Sequence, residues 1–186
     1  MRTAYEQFIR SQADCLVEIL DSVGRPFMIM SLEQAFRQRL RHYLALCLLY
    51  DRTGQLYLLQ RSKQSPFFAE LWDLPAAVVQ AGEAPVDAVI NCLYTELRIR
   101  PSNCLLLKHI VADSSRYLPD LFIFQALAPS QTPAPDNSNI DKVICVVRKD
   151  LQILLRDFPS QLSPFLQYIG AEIIRGVMDG SSEREG

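Results

Sequence analysis

Residues 71–101 read LWDLPAAVVQAGEAPVDAVINCLYTELRIRP, and this stretch decides the fold. It predicts a short apolar strand, a Gly-Glu-Ala-Pro turn and one amphipathic helix. Pro85 suits the first turn of that helix, and apolar side chains recur at helical spacing at Val86, Val89, Ile90, Leu93 and Leu97. A loop that leads into a helix in this way is a frequent layout for phosphate chemistry.

The sequence on either side predicts further strands and helices. Two hairpins are expected, one from strands 16–20 and 27–30 and the other from strands 42–50 and 55–61. Ser31 followed by Gln34 is a capping-box pattern for a helix that ends near residue 40. Other strands are predicted at 76–80, 104–111, 117–126 and 142–147, and other helices at 149–157 and 162–178. This order predicts an α+β fold, an α/β/α sandwich with a mixed β-sheet.

Length and composition predict a single domain with short extensions. A chain of 186 residues can bury a core without disulfide support. We interpret residues 15–178 as one domain, residues 1–14 as an N-terminal helical extension and residues 179–186 as a disordered tail. The Pro-rich and Ser-rich stretch 129–139 predicts an exposed loop and not a domain linker, because too little chain follows it to form a second core.

Charge and cysteine content indicate the setting in which the protein acts. The net charge of −2 gives no basic field for nucleic acid or a membrane surface. No apolar run approaches the roughly 18 residues that a membrane helix needs. The cysteines are odd in number and widely spaced, and no two have the spacing of metal ligands. These features predict a reduced, cytoplasmic protein that does not bind membranes or specific nucleic acids.

The stretch 71–101 resembles the signature of the Nudix hydrolase family. That signature is Gly, five residues, Glu, seven residues, Arg-Glu, an apolar residue, any residue, Glu-Glu, any residue, Gly and an apolar residue. It fits this chain without a gap, and its positions fall on Ala77, Glu83, Asn91-Cys92, Leu93, Thr95-Glu96 and Arg98-Ile99. After Glu83, the only charged or glycine position of the signature that this chain keeps is Glu96.

A second resemblance extends over most of the chain. Residues 18–62, EILDSVGRPFMIMSLEQAFRQRLRHYLALCLLYDRTGQLYLLQRS, are similar to the N-terminal half of the isopentenyl-diphosphate-isomerase-like branch of the Nudix superfamily. The later stretch QLSPFLQYI is also similar to that branch, so the resemblance covers about residues 15–175. It implies a Nudix-like sandwich. The isomerase itself is disfavoured, because its Thr-Cys-Cys-Ser-His segment has no counterpart near residues 72–77.

The resemblance implies a metal site on the predicted helix. In the family, carboxylates hold Mg²⁺ or Mn²⁺, which neutralises a diphosphate and activates water. Glu83 and Glu96 are therefore the candidate catalytic residues and metal ligands. Cys92 and Thr95 stand beside Glu96 on the same helix face, and a thiol and a hydroxyl are poor ligands for these hard cations. Asn91, in place of the signature Arg, is expected to lose that residue's charged hydrogen bonds to Glu83.

Several residues near this stretch are candidates for contact with a substrate. Arg in particular binds phosphate oxygens well, and a cationic rim for phosphates is predicted from Arg41, Arg61, Lys63, Arg98 and Arg100. Trp72 is a candidate for stacking on a base or prenyl group. Carboxylates outside the signature that could assist Glu96 are Glu70, Asp73 and Asp120.

Two functions remain open from the sequence. The first is a Nudix-type hydrolase with a depleted metal site that weakly hydrolyses a small organic diphosphate with Mg²⁺ or Mn²⁺. The alternative is an inactive binding or regulatory module for a nucleotide or diphosphate, which needs no cofactor. A homodimer that uses the terminal helix as its interface is a third possibility.

Overall fold

A computed structural model describes residues 15–65, 68–111, 119–129, 133–135 and 138–176. The strands are β1 (Leu16–Leu20), β2 (Pro26–Ser31), β3 (Tyr43–Tyr50), β4 (Leu56–Arg61), β5 (Trp72–Asp73), β6 (Ala76–Val78), β7 (Cys104–Ile110), β8 (Asp120–Leu127) and β9 (Ile140–Val146). The helices are α1 (Leu32–Arg37), α2 (Pro85–Leu97), α3 (Arg148–Asp157) and α4 (Pro164–Ile174), and a 3-10 turn spans Pro159–Gln161. The predicted extension at 1–14 and tail at 179–186 lie outside the described residues.

The strands form two sheets. Strands β1 and β2 make an antiparallel hairpin, as predicted. The other seven strands form one mixed sheet with the order β5-β4-β3-β8-β7, in which β6 also pairs with β3 and β9 with β4. Strand β3 lies parallel to β8 along its whole length, from Tyr43 opposite Asp120 to Tyr50 opposite Leu127. The mixed sheet expected from the sequence is confirmed.

The predicted hairpin of β3 and β4 is present, and its strands are antiparallel neighbours in the sheet, but they pair over a short stretch only. Asp51 closes the turn by accepting hydrogen bonds from the backbone N–H groups of Thr53 and Gln55, each at 2.8 Å. Beyond the turn the two strands pair only at Tyr50 and Leu56. They diverge because β3 pairs with β6 and β8, while β4 pairs with β5 and β9.

Helices cover both faces of the seven-stranded sheet. One face of β3 and β8 packs against the buried side chains Ala88, Val89, Leu93 and Leu97 of α2. The opposite face packs against α1, α3 and α4, which contribute Leu32, Leu151, Phe165, Leu166 and Ile169 among others. This confirms the α+β fold class, a Nudix-like sandwich with helices on both sides of a mixed sheet.

The terminal helix packs against its own chain. Its apolar residues Phe165, Leu166, Ile169 and Ile173 are buried in the core, so this face does not lie open for a second copy. The helix begins two residues later than predicted, because Ser163 caps it by accepting a hydrogen bond from the N–H of Leu166 at 3.0 Å. Within the described residues, none of the helices combines the length and apolar character that crossing a membrane requires.

Candidate functional site

The loop before α2 holds Glu83 in a fixed position. Its carboxylate accepts one hydrogen bond from the backbone N–H of Gln80 at 3.1 Å and another from the amide of Asn91 at 3.2 Å. Asn91 therefore still supports Glu83, through a neutral amide donor where the signature Arg would donate from a charged guanidinium. An ion pair adds the attraction of opposite charges to the hydrogen bond, so the geometry of the loop is kept with less electrostatic support.

The middle of α2 presents the residues that replace signature carboxylates. The thiol of Cys92 lies 3.5 Å from the carbonyl oxygen of Ala76 in β6 and donates to it. Burial raises the pKa of Cys92 well above its usual range, so the thiol stays neutral. A neutral thiol is neither a good nucleophile nor a ligand for a hard cation. Thr95, one turn further along the helix, is exposed.

Glu96 belongs to a buried ion cluster at the end of strand β4. The guanidinium of Arg61 pairs with Glu96 through Nη1 and with Asp73 of β5 through Nη2 at 3.3 Å. The side chain of Arg61 is 0% exposed, that of Asp73 1% and that of Glu96 13%. Arg61 was expected on an exposed phosphate-binding rim. It lies in the interior instead, because two carboxylates supply the partners that a buried charge requires.

Asp73 extends this cluster to the last helix. Its second oxygen accepts a hydrogen bond from the hydroxyl of Ser163 at 2.5 Å, and the same hydroxyl caps α4. The N–H of Ser163 donates to the carbonyl oxygen of Trp72 at 2.7 Å. The cluster therefore joins β4, β5, α2 and α4. Ser163 was not a sequence candidate, although a Ser directly before Pro164 at a helix start is a recognisable cap pattern.

The charges in this cluster do not fully compensate one another. Arg61 carries one positive charge, while Asp73 and Glu96 together offer two negative ones. Burial raises the pKa of Glu96, and the nearby charge of Arg61 offsets this increase only in part. The Oε2 atom of Glu96 is buried and has no hydrogen-bond partner among the described residues. Glu96 thus keeps one buried carboxylate oxygen that Arg61 does not satisfy.

Arg41 and Asp120 form a separate cluster at the start of β3 and β8. Arg41 donates to both oxygens of Asp120, at 3.0 and 2.8 Å, and also to the carbonyl oxygen of Asp21 at 2.9 Å. His109 lies 3.6 Å from Asp120 and stacks on Phe122 with a centroid distance of 4.1 Å. This bidentate pair uses much of the hydrogen-bonding capacity that Arg41 would need for a phosphate.

The remaining candidates lie closer to solvent. Lys63 is exposed in the turn after β4, and Trp72 is half-buried in β5. Arg98 is exposed at the end of α2, with its guanidinium 5.6 Å from the ring centre of Tyr94. The carboxylate of Glu70 lies at an exposed position outside the Glu96 cluster. Of the predicted cationic rim, the structure therefore leaves Lys63, Arg98 and Arg100 exposed.

Arg98 stands where the signature has its last glycine. It is the C-terminal cap of α2 and has φ 58° and ψ 26°, the left-handed conformation. Glycine adopts this conformation without the steric cost that a side chain imposes. The chain therefore keeps the backbone geometry of the signature at this position while it carries an unfavourable residue there.

Replacing Arg98 with Gly is expected to raise the free energy of unfolding by about 0.5–1 kcal/mol. The relief of the left-handed conformation outweighs the loss of an exposed Arg–Tyr contact. Urea denaturation followed by circular dichroism measures the change. Arg98→Ala is the matched control, since it loses the same contact but keeps a Cβ, and it should give no stabilisation. Equal stabilisation by both substitutions would contradict this account of the cap.

The donors of this site do not fit a divalent metal. Mg²⁺ and Mn²⁺ need several oxygen ligands, but the signature positions on α2 keep one carboxylate, Glu96, which already pairs with Arg61. Glu83 lies in the loop before α2, where Gln80 and Asn91 already donate hydrogen bonds to its carboxylate. Within the described ranges, no group of three or more His, Cys, Asp or Glu side chains converges as a metal site.

This sandwich, with a loop and helix of this geometry on one face, defines a Nudix-fold protein. The NUDIX domain family matches residues 40–168, which is more than half of the chain, and the chain belongs to this family. No curated protein matches the chain significantly in sequence.

Solved structures of low sequence identity share the fold. DR0079 from Deinococcus radiodurans has a TM-score of 0.69 at 14% identity, covering 84% of this chain and 98% of that one. MutT, from a study of Aliivibrio salmonicida and Vibrio cholerae, has a TM-score of 0.53 at 15% identity, and the match covers 72% of this chain and 95% of that one. The NUDIX domain of Shewanella oneidensis NrtR, solved with ADP-ribose, has a TM-score of 0.53 at 16% identity, and the match covers 73% of this chain and 87% of that one.

Proposed function

We propose that this chain is a Nudix-fold binding module for a nucleotide or another small organic diphosphate, and that binding needs no divalent metal. The observation that carries this proposal is the pairing of Glu96 with the buried guanidinium of Arg61. Glu96 is the signature carboxylate that remains on α2, and an internal cation already balances it. Because Cys92 and Thr95 add no carboxylate, the helix lacks the donor set for metal-assisted attack of water.

Exposed cations near this end of α2 are the candidate contacts for phosphate. Lys63 follows Arg61 by two residues, and Arg98 follows Glu96 by two, so both flank the buried cluster in sequence and lie in solvent. Trp72, half-buried in β5, is the candidate for stacking on a base. The ADP-ribose bound to the NrtR domain supports a nucleotide derivative as the class of ligand.

Weak hydrolysis is the second candidate. It is favoured by the Oε2 atom of Glu96, which is buried and has no hydrogen-bond partner among the described residues, and by Glu83, which the loop still orients. An enzyme of this kind would use Mg²⁺ or Mn²⁺ and would be most closely related to the isopentenyl-diphosphate-isomerase-like branch. That branch assignment rests on the sequence resemblance alone.

Ligand binding can be tested by thermal unfolding with ADP-ribose, ADP and isopentenyl diphosphate, each with Mg²⁺ and with EDTA. A ligand at a concentration of about 100 times its Kd stabilises the folded protein by about 2.7 kcal/mol. This raises the Tm by roughly 5–10 °C for a domain of this size. We expect such a shift for at least one ligand, of equal size with EDTA and with Mg²⁺. Lys63→Ala and Arg98→Ala should each reduce it.

Phosphate release measured on the same samples separates the two candidates. The binding proposal expects no release above that of the buffer. Metal-dependent release that disappears in Glu96→Gln would overturn it and establish the hydrolase. Absence of any thermal shift with all three ligands would also count against it, because the proposed site would then lack affinity for this chemical class.

A further inference from the structure

The C-terminal end of helix α2 carries two exposed arginines that share one aromatic side chain. Arg98 and Arg100 are both exposed, and Tyr94 beside them is 40% exposed. The guanidinium carbon of Arg100 lies 4.3 Å from the centre of the Tyr94 ring, and that of Arg98 lies 5.6 Å from it. Both distances fall within the roughly 6 Å over which a ring face attracts a cation. One tyrosine therefore gathers two positive charges.

Neither arginine is neutralised by the described part of its own chain. Within those residues, each guanidinium contacts Tyr94, and no carboxylate pairs with Arg98 or with Arg100. The carboxylate nearest to them in the sequence, Glu96, pairs with the buried Arg61 instead. The two positive charges thus remain available to an anion from outside the chain.

The end of the helix does not use these guanidinium groups as caps. Basic side chains near a helix C-terminus often donate hydrogen bonds to the last carbonyl groups. In this helix the carbonyl oxygen of Leu93 accepts from the backbone N–H of Ile99 at 3.2 Å. The carbonyl oxygen of Leu97 accepts from the backbone N–H of Ala134 at 2.9 Å. The backbone therefore already satisfies carbonyl groups that the arginines would otherwise cap.

Arg98 occupies its position at a cost to the backbone. Its φ of 58° lies in the left-handed region, where glycine would avoid the strain. Residues held in strained conformations of this kind cluster at ligand-binding sites. The strain is an observation independent of the charge of Arg98, and it also favours a binding role for this side chain.

The contact with Tyr94 prepares Arg100 to bind a phosphate. A guanidinium that lies over a ring uses its flat face for that contact and keeps the N–H groups along its edge free. Those N–H groups form a planar fork that matches two oxygens of a phosphate. Because the ring restricts the side chain, less conformational entropy is lost when the phosphate binds. Arg98 supplies a second fork at the same ring.

We propose that Arg98 and Arg100, positioned by Tyr94, form a clamp for the diphosphate group of the ligand, with one guanidinium on each phosphate. This inference rests on the proposed function and narrows the ligand to molecules with two linked phosphates. A monophosphate would occupy one of the two forks and leave the other empty. Tyr94 is a positioning residue, since it holds the arginines and does not contact the phosphates.

Calorimetric titration of the full-length chain in EDTA tests the clamp. Each diphosphate is compared with its monophosphate: ADP with AMP, and isopentenyl diphosphate with isopentenyl phosphate. We expect at least one diphosphate to bind, and to bind about tenfold or more tightly than its monophosphate. Arg100→Ala should raise the Kd of that diphosphate by about tenfold or more. It should raise the Kd of the monophosphate less, so the variant should discriminate poorly between the two.

Control variants separate the clamp from a general effect of charge. Arg156→Ala removes an arginine whose side chain is 75% exposed on α3, across the sheet from α2, and should leave the Kd unchanged. Arg100→Lys keeps the charge without the fork and should still weaken binding. Tyr94→Leu should raise the Kd about threefold, whereas Tyr94→Phe keeps the ring and should bind as the wild type does. Circular dichroism establishes that each variant is folded.

The outcomes distinguish this inference from the proposed function. If no diphosphate binds to the wild-type chain, both are overturned. If a diphosphate binds and its Kd is the same in Arg100→Ala and Tyr94→Leu, the proposed function stands and the clamp is overturned. Equal affinity of the wild-type chain for a diphosphate and its monophosphate would also overturn the clamp, as would full affinity in Arg100→Lys.

Discussion

Replacing Arg61 with Met is expected to lower the free energy of unfolding by about 3–5 kcal/mol near neutral pH. Met has a similar length and leaves little cavity, so the loss arises from charge. The side chain of Arg61 is 0% exposed and pairs with both Asp73 and Glu96. Its removal leaves two buried carboxylates near each other without a cation, and each must then be protonated or hydrated at a cost.

Urea denaturation of the variant and of two controls measures this effect. Arg37→Met breaks the exposed pair of Arg37 and Glu33, whose side chains are 74% and 37% exposed, and should cost less than about 1 kcal/mol. Arg61→Met combined with Glu96→Gln removes one of the unpaired carboxylates and should recover part of the loss, a coupling that distant sites do not show. A loss in Arg61→Met no larger than that in Arg37→Met would contradict the buried cluster.

Local features of this chain could be predicted from the sequence. The β1–β2 hairpin, the Asp51 turn and helix α2 depend on residues a few positions apart, and their turn residues and apolar spacing are visible in the sequence. The pairing of β3 with β8 was not visible, because it joins Tyr43 to Asp120 across intervening strands. A turn between two apolar runs predicts a hairpin whether or not another strand competes for the same edge.

The burial of Arg61 also depends on contacts between residues that are distant in sequence, which local patterns do not predict. An arginine two residues before Lys63 is typical of a solvated rim, and charged residues are almost never fully buried unless they are paired. The partners that bury it stand 12 and 35 positions away, at Asp73 and Glu96. Ser163, which donates a hydrogen bond to Asp73, stands 90 positions after Asp73 in the sequence. The signature frame located Glu83 and Glu96 but could not indicate that one of them faces an internal cation.

Restoring the signature with Asn91→Arg, Cys92→Glu and Thr95→Glu is expected to create a response to metal. Positions 92, 95 and 96 share one face of α2, and the Cys92 sulfur lies 3.5 Å from the carbonyl oxygen of Ala76, a further oxygen donor. Without metal, the added carboxylates should lower the free energy of unfolding by about 1–3 kcal/mol, because they repel Glu96 at a partly buried site. Mn²⁺ at a concentration of about 100 times its Kd should then raise the free energy of unfolding of this variant by about 2.7 kcal/mol.

Thermal unfolding with Mn²⁺ and with EDTA measures this gain. The matched control is Asn91→Arg with Cys92→Gln and Thr95→Gln, which adds side chains of the same size without charge and should show no difference between Mn²⁺ and EDTA. The wild-type chain should also show none, because Arg61 already balances Glu96. If the restored variant is folded but its thermal unfolding is the same with Mn²⁺ and with EDTA, Cys92 and Thr95 do not stand at the ligand positions. The alignment of the signature on α2 is then wrong. If the wild-type chain itself responds, Glu96 exchanges Arg61 for a metal, and the case for a metal-independent binding module no longer holds.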